Sequence, residues 1–243
     1  MIKGLYVSAS GMIPHVKKQE LSANNISNAS SPGFKRDAVF TKELTRAEKR
    51  HVPQMSDWQQ PMIDEVYTDF APGIFDRTGN PLDLAIDGDG FFTLLTPDGQ
   101  TALTRSGSFG VDANGFLMFP EGNLVMGEGG PIEVGDGDLS VSASGEVSVN
   151  GISVGRIQAQ TVLDLDQLHK VGGSLFVVPE GVELVPVEKA VIRQGFLETS
   201  NVDIVGEMID MIVSFRSYEA NAKAVQSQDQ SLEHLFNRVG VKV

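Results

Sequence analysis

The five residues Gly151-Ile152-Ser153-Val154-Gly155 have the spacing of a nucleophile elbow, in which a serine on a strained turn gives its proton to a histidine. That chemistry needs a strand, the turn and then a helix, with an acid and a histidine later in the chain. The residues that follow, Arg156 to Val162, alternate like a strand. The segment therefore reads as a hairpin turn, and a serine hydrolase at Ser153 is kept only as a remote alternative. Asp87-Gly88-Asp89-Gly90 opens like a calcium loop, but Phe91 and Phe92 stand where a ligand and a glycine are required, and Asp98 where the loop ends in glutamate. Gly127-Glu128-Gly129-Gly130 has neither the glycine spacing nor the following helix of a dinucleotide fingerprint. The four histidines, His15, His51, His169 and His234, share no metal-ligand spacing, and the absence of cysteine removes thiolate catalysis, disulfides and cysteine-bound zinc. No catalytic, cofactor-binding or metal-binding residue is expected, and the chain is not expected to be an enzyme.

With 243 residues the chain can bury one good core or two smaller ones. Its net charge of −13 is uneven: residues 1–75 hold nine Lys/Arg against eight Asp/Glu, residues 76–190 five against 17, and residues 191–243 five against seven. The acidic middle repels phosphate backbones, so no nucleic-acid partner is expected. The near-neutral ends can pack against copies of themselves without a charge penalty. No run of some 18 apolar residues is present, so membrane insertion is not expected and the chain is expected to be soluble. The amino terminus lacks a cationic, hydrophobic, cleavable pattern, so any export should use a route without a cleaved peptide.

The elements that would position any functional surface are helices at the two ends. Leu5, Ala9, Met12, Val16, Gln19, Ala23 and Ile26 alternate by four and three, the spacing of a coiled-coil seam, with Gln19 the one polar member. Pro14 interrupts the pattern, so the helix either kinks there or begins there. The same alternation continues through Ile204, Met208, Met211, Phe215, Tyr218, Ala222, Val225, Asp229, Leu232, Phe236 and Val239. A helix from about Asn201 would span roughly 55 to 60 Å. Ser200 or Asn201 can cap it, and Asp203 and Glu207 suit its amino terminus. The helix is long beside the helix available to cover it, so part of its stripe is expected to face another protein.

Between the ends, residues 76–190 alternate short apolar runs with turns such as Thr96-Pro97-Asp98-Gly99, Asp112-Ala113-Asn114-Gly115 and Pro120-Glu121-Gly122-Asn123. Leu139–Ser142 and Glu146–Val149 flank Ala143-Ser144-Gly145 as a hairpin would. Residues 37–75, with Pro53, Pro61 and Pro72 and no clear period, read as an extended connector. The expected fold is α+β: an amino-terminal helix and turn over 1–36, the connector over 37–75, a β-rich domain over 76–190, and a long helix over 191–243, the two helices pairing as a coiled-coil-like layer.

Asn24, Asn25 and Asn28 crowd the end of the first helix before Ser31-Pro32-Gly33-Phe34, where proline and glycine suit a type II turn. Such amides suit either hydrogen bonds between helices that fix their register, or an ordinary solvated helix end.

The segments Leu21–Ser30, Pro32-Gly33-Phe34-Lys35-Arg36, Gln194–Val202 and Phe215–Asn221 together resemble the flagellar rod and hook protein family of bacteria. Thr78–Ile86, Gly90-Phe91-Phe92 and Thr104–Phe109 also look like rod-protein segments. The resemblance implies a structural subunit of the basal-body rod, which spans the periplasm. It implies type III export without signal cleavage, and terminal helices in the inner layer of a tube wall with the β-domain outside. The implied partners are copies of the chain, other rod proteins and the export apparatus. Short length and Val125–Ile132 look most like the proximal rod subunit, and the distal rod subunit is the alternative. A free-standing β binding module is a third, remote reading. The candidate assembly residues are Leu5, Met12, Val16, Asn24, Asn25, Ile26 and Asn28 at one end. At the other they are Ile204, Met208, Met211, Phe215, Tyr218, Ala222, Val225, Leu232 and Phe236.

Overall fold

Proline at position 14 neither starts nor ends the first helix. In the structure, a computed structural model describing residues 2–42, 62–135, 137–187 and 189–239, helix α1 runs from Ile2 to Ser27 with Pro14 inside it. Pro14 is buried, and at the neighbouring position the side-chain nitrogen of Asn221 would stand 3.4 Å from a Cβ on Gly11. Tertiary packing thus sustains the helix past a residue that contributes no backbone donor. The second helix, α2, runs from Ile204 to Val239, about 54 Å at the usual rise.

The chain divides into two compact units. The first comprises Met1–Ser27, Asp37–Asp69 and Val202–Val243. Here α1 meets α2 antiparallel: Asn25 contacts Glu207 and Gly11 contacts Asn221. The amino terminus of α2 is capped by Asp203, whose carboxylate accepts the Val205 N–H at 3.1 Å. Ser200 and Asn201, the expected caps, lie outside this unit. Within the segment expected to be an extended connector, strands β1 (Asp37–Lys42) and β2 (Met62–Thr68) pair antiparallel, with Asp37 opposite Thr68 and a register shift between Phe40 and Thr41. His51, Pro53 and Pro61 lie outside the described residues.

The second unit comprises Asn28–Arg36 and Phe70–Asn201, and it is built of short strands. In chain order these are β3 (Phe75–Arg77), β4 (Leu84–Asp87), β5 (Phe92–Leu95), β6 (Thr101–Thr104), β7 (Gly110–Val111), β8 (Leu117–Phe119), β9 (Asn123–Gly127) and β10 (Gly130–Pro131). There follow β11 (Leu139–Val141), β12 (Glu146–Val149), β13 (Ile152–Arg156), β14 (Gln160–Val162), β15 (His169–Val171), β16 (Leu175–Val177), β17 (Leu184–Pro186), β18 (Val191–Gln194) and β19 (Phe196–Glu198). The main sheet has the order β15-β16-β6-β5-β9-β8-β7, with β10 on β9. The expected hairpin is β11–β12, with Leu139 opposite Val149, and β13 extends it to three strands. Strand structure continues past residue 190, because β18 pairs with β4 and β19 with β3.

Phe91 and Phe92, adjacent in sequence, point into different cores, as alternation along a strand requires. Phe92 joins Leu84, Ile86, Leu94, Leu117 and Val125, and stacks edge-on to Phe109 at 5.1 Å. Phe91 packs with Leu103, Val162 and Phe176. The chain is thus α+β, with a helix at each end and a mainly-β middle.

Candidate functional site

The nucleophile-elbow pattern opens on a hairpin turn. Asn150 and Gly151 both take positive φ, 50° and 81°, as a type I′ turn demands, and Ser153 follows on β13 opposite Ser148. Ser153 is exposed on a strand, not held between strand and helix. In the acidic loop after β4, Asp87 pairs with Arg193 and the Gly88 carbonyl accepts from Arg105 Nη2 at 2.6 Å. Among the described residues no three His, Asp or Glu side chains gather as a metal site would require.

The polar residues that do converge lie where the chain leaves and re-enters the β unit. Gly33 takes φ 67°, and a Cβ there would fall 2.2 Å from the Ser106 nitrogen, so only glycine brings the strand this close. That approach buries Phe34 and Lys35 completely. Lys35 Nζ donates to Glu198 Oε1 at 2.6 Å and to the Ala71 carbonyl at 2.7 Å. Glu198 Oε1 also accepts the Gly73 N–H at 2.9 Å, and the Glu198 carbonyl accepts the Gly33 N–H at 2.7 Å. Arg105 Nη1 lies 3.6 Å from Glu198 Oε2 and donates to the Ile86 carbonyl at 3.1 Å. Burial pulls the Arg105 pKa below its ordinary value, while Glu198 and Asp89 act to raise it. Lys170 sits 3.9 Å above the Phe34 ring and donates to the Lys35 carbonyl at 2.6 Å. Sequence reasoning missed Lys35, Arg105 and Glu198; the available signal was charge placed inside the glycine–aromatic segments Gly33-Phe34-Lys35 and Gly195-Phe196-Leu197-Glu198.

In the helical unit, the candidate residues fall into columns seven residues apart. On α2, Met211, Tyr218, Val225 and Leu232 are half-buried, alternating with Glu207, Ser214, Asn221 and Gln228, which are buried or half-buried. The other predicted column faces outward: Met208 is exposed and so is Phe215, at 52%. Ile204 at the start of the helix is exposed, and Ala222 is half-buried. Phe236 lies on α2, and its side chain is outside the described set. On α1 the division repeats. Leu5, Met12, Gln19 and Ile26 are half-buried, Ala9, Val16 and Ala23 are exposed, and Ser22 and Asn25 are buried. The helices therefore carry polar side chains at their most buried positions with half-buried apolar ones beside them, and one column on each is left largely exposed.

Asn25 shows how that polar contact works. Its side chain accepts the Asp37 N–H at 3.0 Å and donates to the Asp37 carbonyl at 2.8 Å and to Glu207 Oε1 at 3.1 Å. Asn24 is exposed, and Asn28 lies in the β unit, where its carbonyl accepts the Ser31 N–H at 3.0 Å. An open groove of about 570 Å³ on the exposed side of the helix pair is lined by Gln19, Ala23, Met211, Ile212 and Phe215, together with the charged Glu20, Arg216 and Glu219. Gln19 Nε2 and Gln228 Oε1 are buried with no hydrogen-bond partner among the described residues.

A helical unit made from both chain ends, a β unit made from the middle, and polar clusters that tie segments together define a structural protein built for contact. Residues 5–35 match the family described as flagella basal body rod protein, residues 85–149 the flagellar hook protein FlgE/F/G D1 domain, and residues 193–238 the flagellar basal body rod FlgEFG protein C-terminal region. The chain is 33% identical to flagellar basal-body rod protein FlgG of Borreliella burgdorferi, over 96% of this chain and 97% of that one. It is 32% identical to the FlgF proteins of Caulobacter vibrioides, over 99% of both chains, and of Mesorhizobium japonicum, over 100% of both. The chain belongs to the flagellar basal-body rod protein family, whose members are structural proteins of the rod and not enzymes, and which assemble with other rod proteins.

Proposed function

We propose that this chain is a subunit of the proximal rod, assembling through its terminal helices with copies of itself and with neighbouring rod proteins, while its β unit lies outside the helical layer. The observation that carries the reading is the outward apolar column on each helix. Along α2, Ile204, Val205, Met208, Ile209, Ile212, Val213 and Phe215 are all exposed. Burying such a half-exposed side chain contributes roughly 1 kcal/mol, so this set offers roughly 7 kcal/mol against an association cost of roughly 4 to 15. Val16 and Ile13 on α1 add to it. In such a layer the helices pair as a coiled-coil-like tube wall. Export through the flagellar type III apparatus, without a cleaved signal, and a place in the part of the rod that spans the periplasm complete the proposal.

Length favours the proximal position. The alignments with the FlgF relatives run to 247 positions, little more than the 243 residues of this chain, whereas those with FlgG of Borreliella burgdorferi and Bacillus subtilis run to 260 and 271. The distal alternative has the 33% identity to FlgG in its favour. The test is complementation. The gene should restore swimming to a strain lacking its FlgF-type protein and not to one lacking FlgG, and Phe215→Asp should abolish that rescue with the β unit still folded. Rescue of only the FlgG-deficient strain would move the chain to the distal rod. Normal swimming with Phe215→Asp would overturn assembly through this face.

A further inference from the structure

The chain passes between its two units at four places, after residues 27, 36, 69 and 201. Within the β unit, the segments beside these passages are tied to one another. Asn28 is joined to Ser31, and Ser31 to Phe34, by successive turn hydrogen bonds of 3.0 and 3.3 Å. Lys35 Nζ bridges Glu198 and the Ala71 carbonyl. The Arg36 N–H donates to Asn201 Oδ1 at 2.8 Å, and Asn201 Nδ2 donates to the Ala71 carbonyl at 3.1 Å. Glu198 collects Lys35, Gly73 and the flank of Arg105, and Arg105 is itself anchored to the carbonyls of Ile86 and Gly88 on and after β4. The passages at 36, 69 and 201 thus end in one polar knot, buried at Lys35 and Glu198 and rooted in the sheet, while the passage at 27 reaches it through the turn over residues 28–34.

A fully buried lysine–glutamate pair is a poor device for equilibrium stability, because an apolar pair of similar volume does as well or better. Its distinguishing property is direction. Two hydrogen bonds to Glu198 Oε1, from Lys35 and the Gly73 N–H, and the ion pair of its Oε2 with Arg105 hold three segments at fixed offsets, and sliding the Lys35 or Arg105 segment strands a charge away from water. Apolar contacts allow such sliding at little cost. We infer that Lys35, Glu198 and Arg105 form a force-carrying clamp that holds together, within the β unit, the segments by which the chain enters and leaves it. The inference rests on the rod reading in that a rod subunit must transmit rotation.

The chain has no cysteine, so handles can be placed at will. In the full-length monomer, Ala38→Cys with Val202→Cys loads the passages, and Asp98→Cys between β5 and β6 with Glu180→Cys between β16 and β17, both exposed, loads the sheet elsewhere. Lifetimes are read at constant force for the parent and for the charge-neutral pair Lys35→Met with Glu198→Gln. This pair also leaves the buried Arg105 without its carboxylate and so lowers the melting temperature, but the clamp predicts that it shortens the lifetime under load through Ala38 and Val202 by roughly tenfold and far less through Asp98 and Glu180. An unchanged lifetime through the first handles, or equal shortening through both, overturns it. Should the pair fail to fold, Lys35→Arg, which keeps the charge but alters the geometry, is read on the same handles with the same two outcomes. Because the monomer is loaded, this result stands apart from complementation: failed rescue removes the rod reading without altering the lifetimes.

Discussion

Asn25 and Glu207, 182 residues apart in the chain, share a hydrogen bond of 3.1 Å at the buried meeting of the two helices. Asn25 is only 1% exposed and Glu207 3%, so neither can turn to water for a substitute. The same amide closes both backbone groups of Asp37, fixing where β1 leaves the helix end. Asn25→Ala therefore orphans the Asp37 N–H and weakens the hold on Glu207, and should destabilise the helical unit by about 1–3 kcal/mol. Asn25→Asp should cost more, because two carboxylates would then face each other in a buried site. Urea unfolding followed by helical circular dichroism, with hydrogen exchange at the Asp37 amide, tests both. An Asn25→Asp variant as stable as the parent would show that the contact is not made.

Gly33 and Gly99 both have positive φ, 67° and 79°, yet they should respond differently to alanine. At Gly99 a Cβ meets open space, so Gly99→Ala carries only the left-handed backbone penalty, about 1–2 kcal/mol. At Gly33 the Cβ would collide with the backbone of Arg105 and Ser106, with 2.4 Å to the Arg105 carbonyl carbon. Gly33→Ala must push Phe34 and Lys35 out of their sites, and should lower the melting temperature of the β unit far more than Gly99→Ala. Equal melting of the two variants would mean that the segment Gly33-Phe34-Lys35 does not need the close approach.

What could be read from the sequence was local, and what could not was the identity of partners. The β11–β12 hairpin was visible because its turn chemistry is contained in six residues, with the Gly145 N–H returning to the Ser142 carbonyl. The helices were visible because their apolar period persists. Yet a period of three and four reports the width of an apolar face without saying who covers it. Met211 and Phe215 belong to one predicted seam, yet Met211 is half-buried and Phe215 exposed. The polar residues buried on the two helices are Ser22, Asn25, Glu207 and Ser214, of which Asn25 and Glu207 bond to each other, and no hydrophobic pattern selects them. Lys35 and Glu198 were harder still, since a buried ion pair is legible only when both partners are placed, and they stand 163 residues apart.

The turn after β7 carries a pH dependence of definite sign. Asp112 accepts from the Phe116 N–H at 2.7 Å and the Asn114 N–H at 2.9 Å, and these bonds hold its pKa below the ordinary value of 3.8. A carboxylate whose folded pKa is depressed stabilises the fold above its unfolded pKa, and that contribution is lost as the pH falls through the folded value. The turn should be insensitive to pH from neutrality down to about 4 and should loosen only below that. Amide shifts and exchange at Asn114 and Phe116 would follow it, and Asp112→Asn should make the profile flat. Loosening between pH 7 and 5 would contradict the assignment.

Two valines separate the inner and outer columns of the helical unit. Val225 is half-buried on the side of α2 that carries Asn221 and Gln228, whereas Val16 is exposed on α1. Val225→Asp puts a charge into the helix pair and should destabilise the monomer by about 2–4 kcal/mol. Val16→Asp faces water in the monomer and should stay within about 0.5 kcal/mol of the parent. If the outer columns are buried on assembly, the order reverses in the polymer: Val16→Asp then buries an unpaired charge and should block pelletable assembly outright while the monomer melts normally. Thermal melts of the monomer beside a sedimentation assay of assembly separate the cases. Assembly of Val16→Asp at the parent's concentration would show that α1 turns this column to solvent in the rod as well, leaving α2 to supply the contact alone.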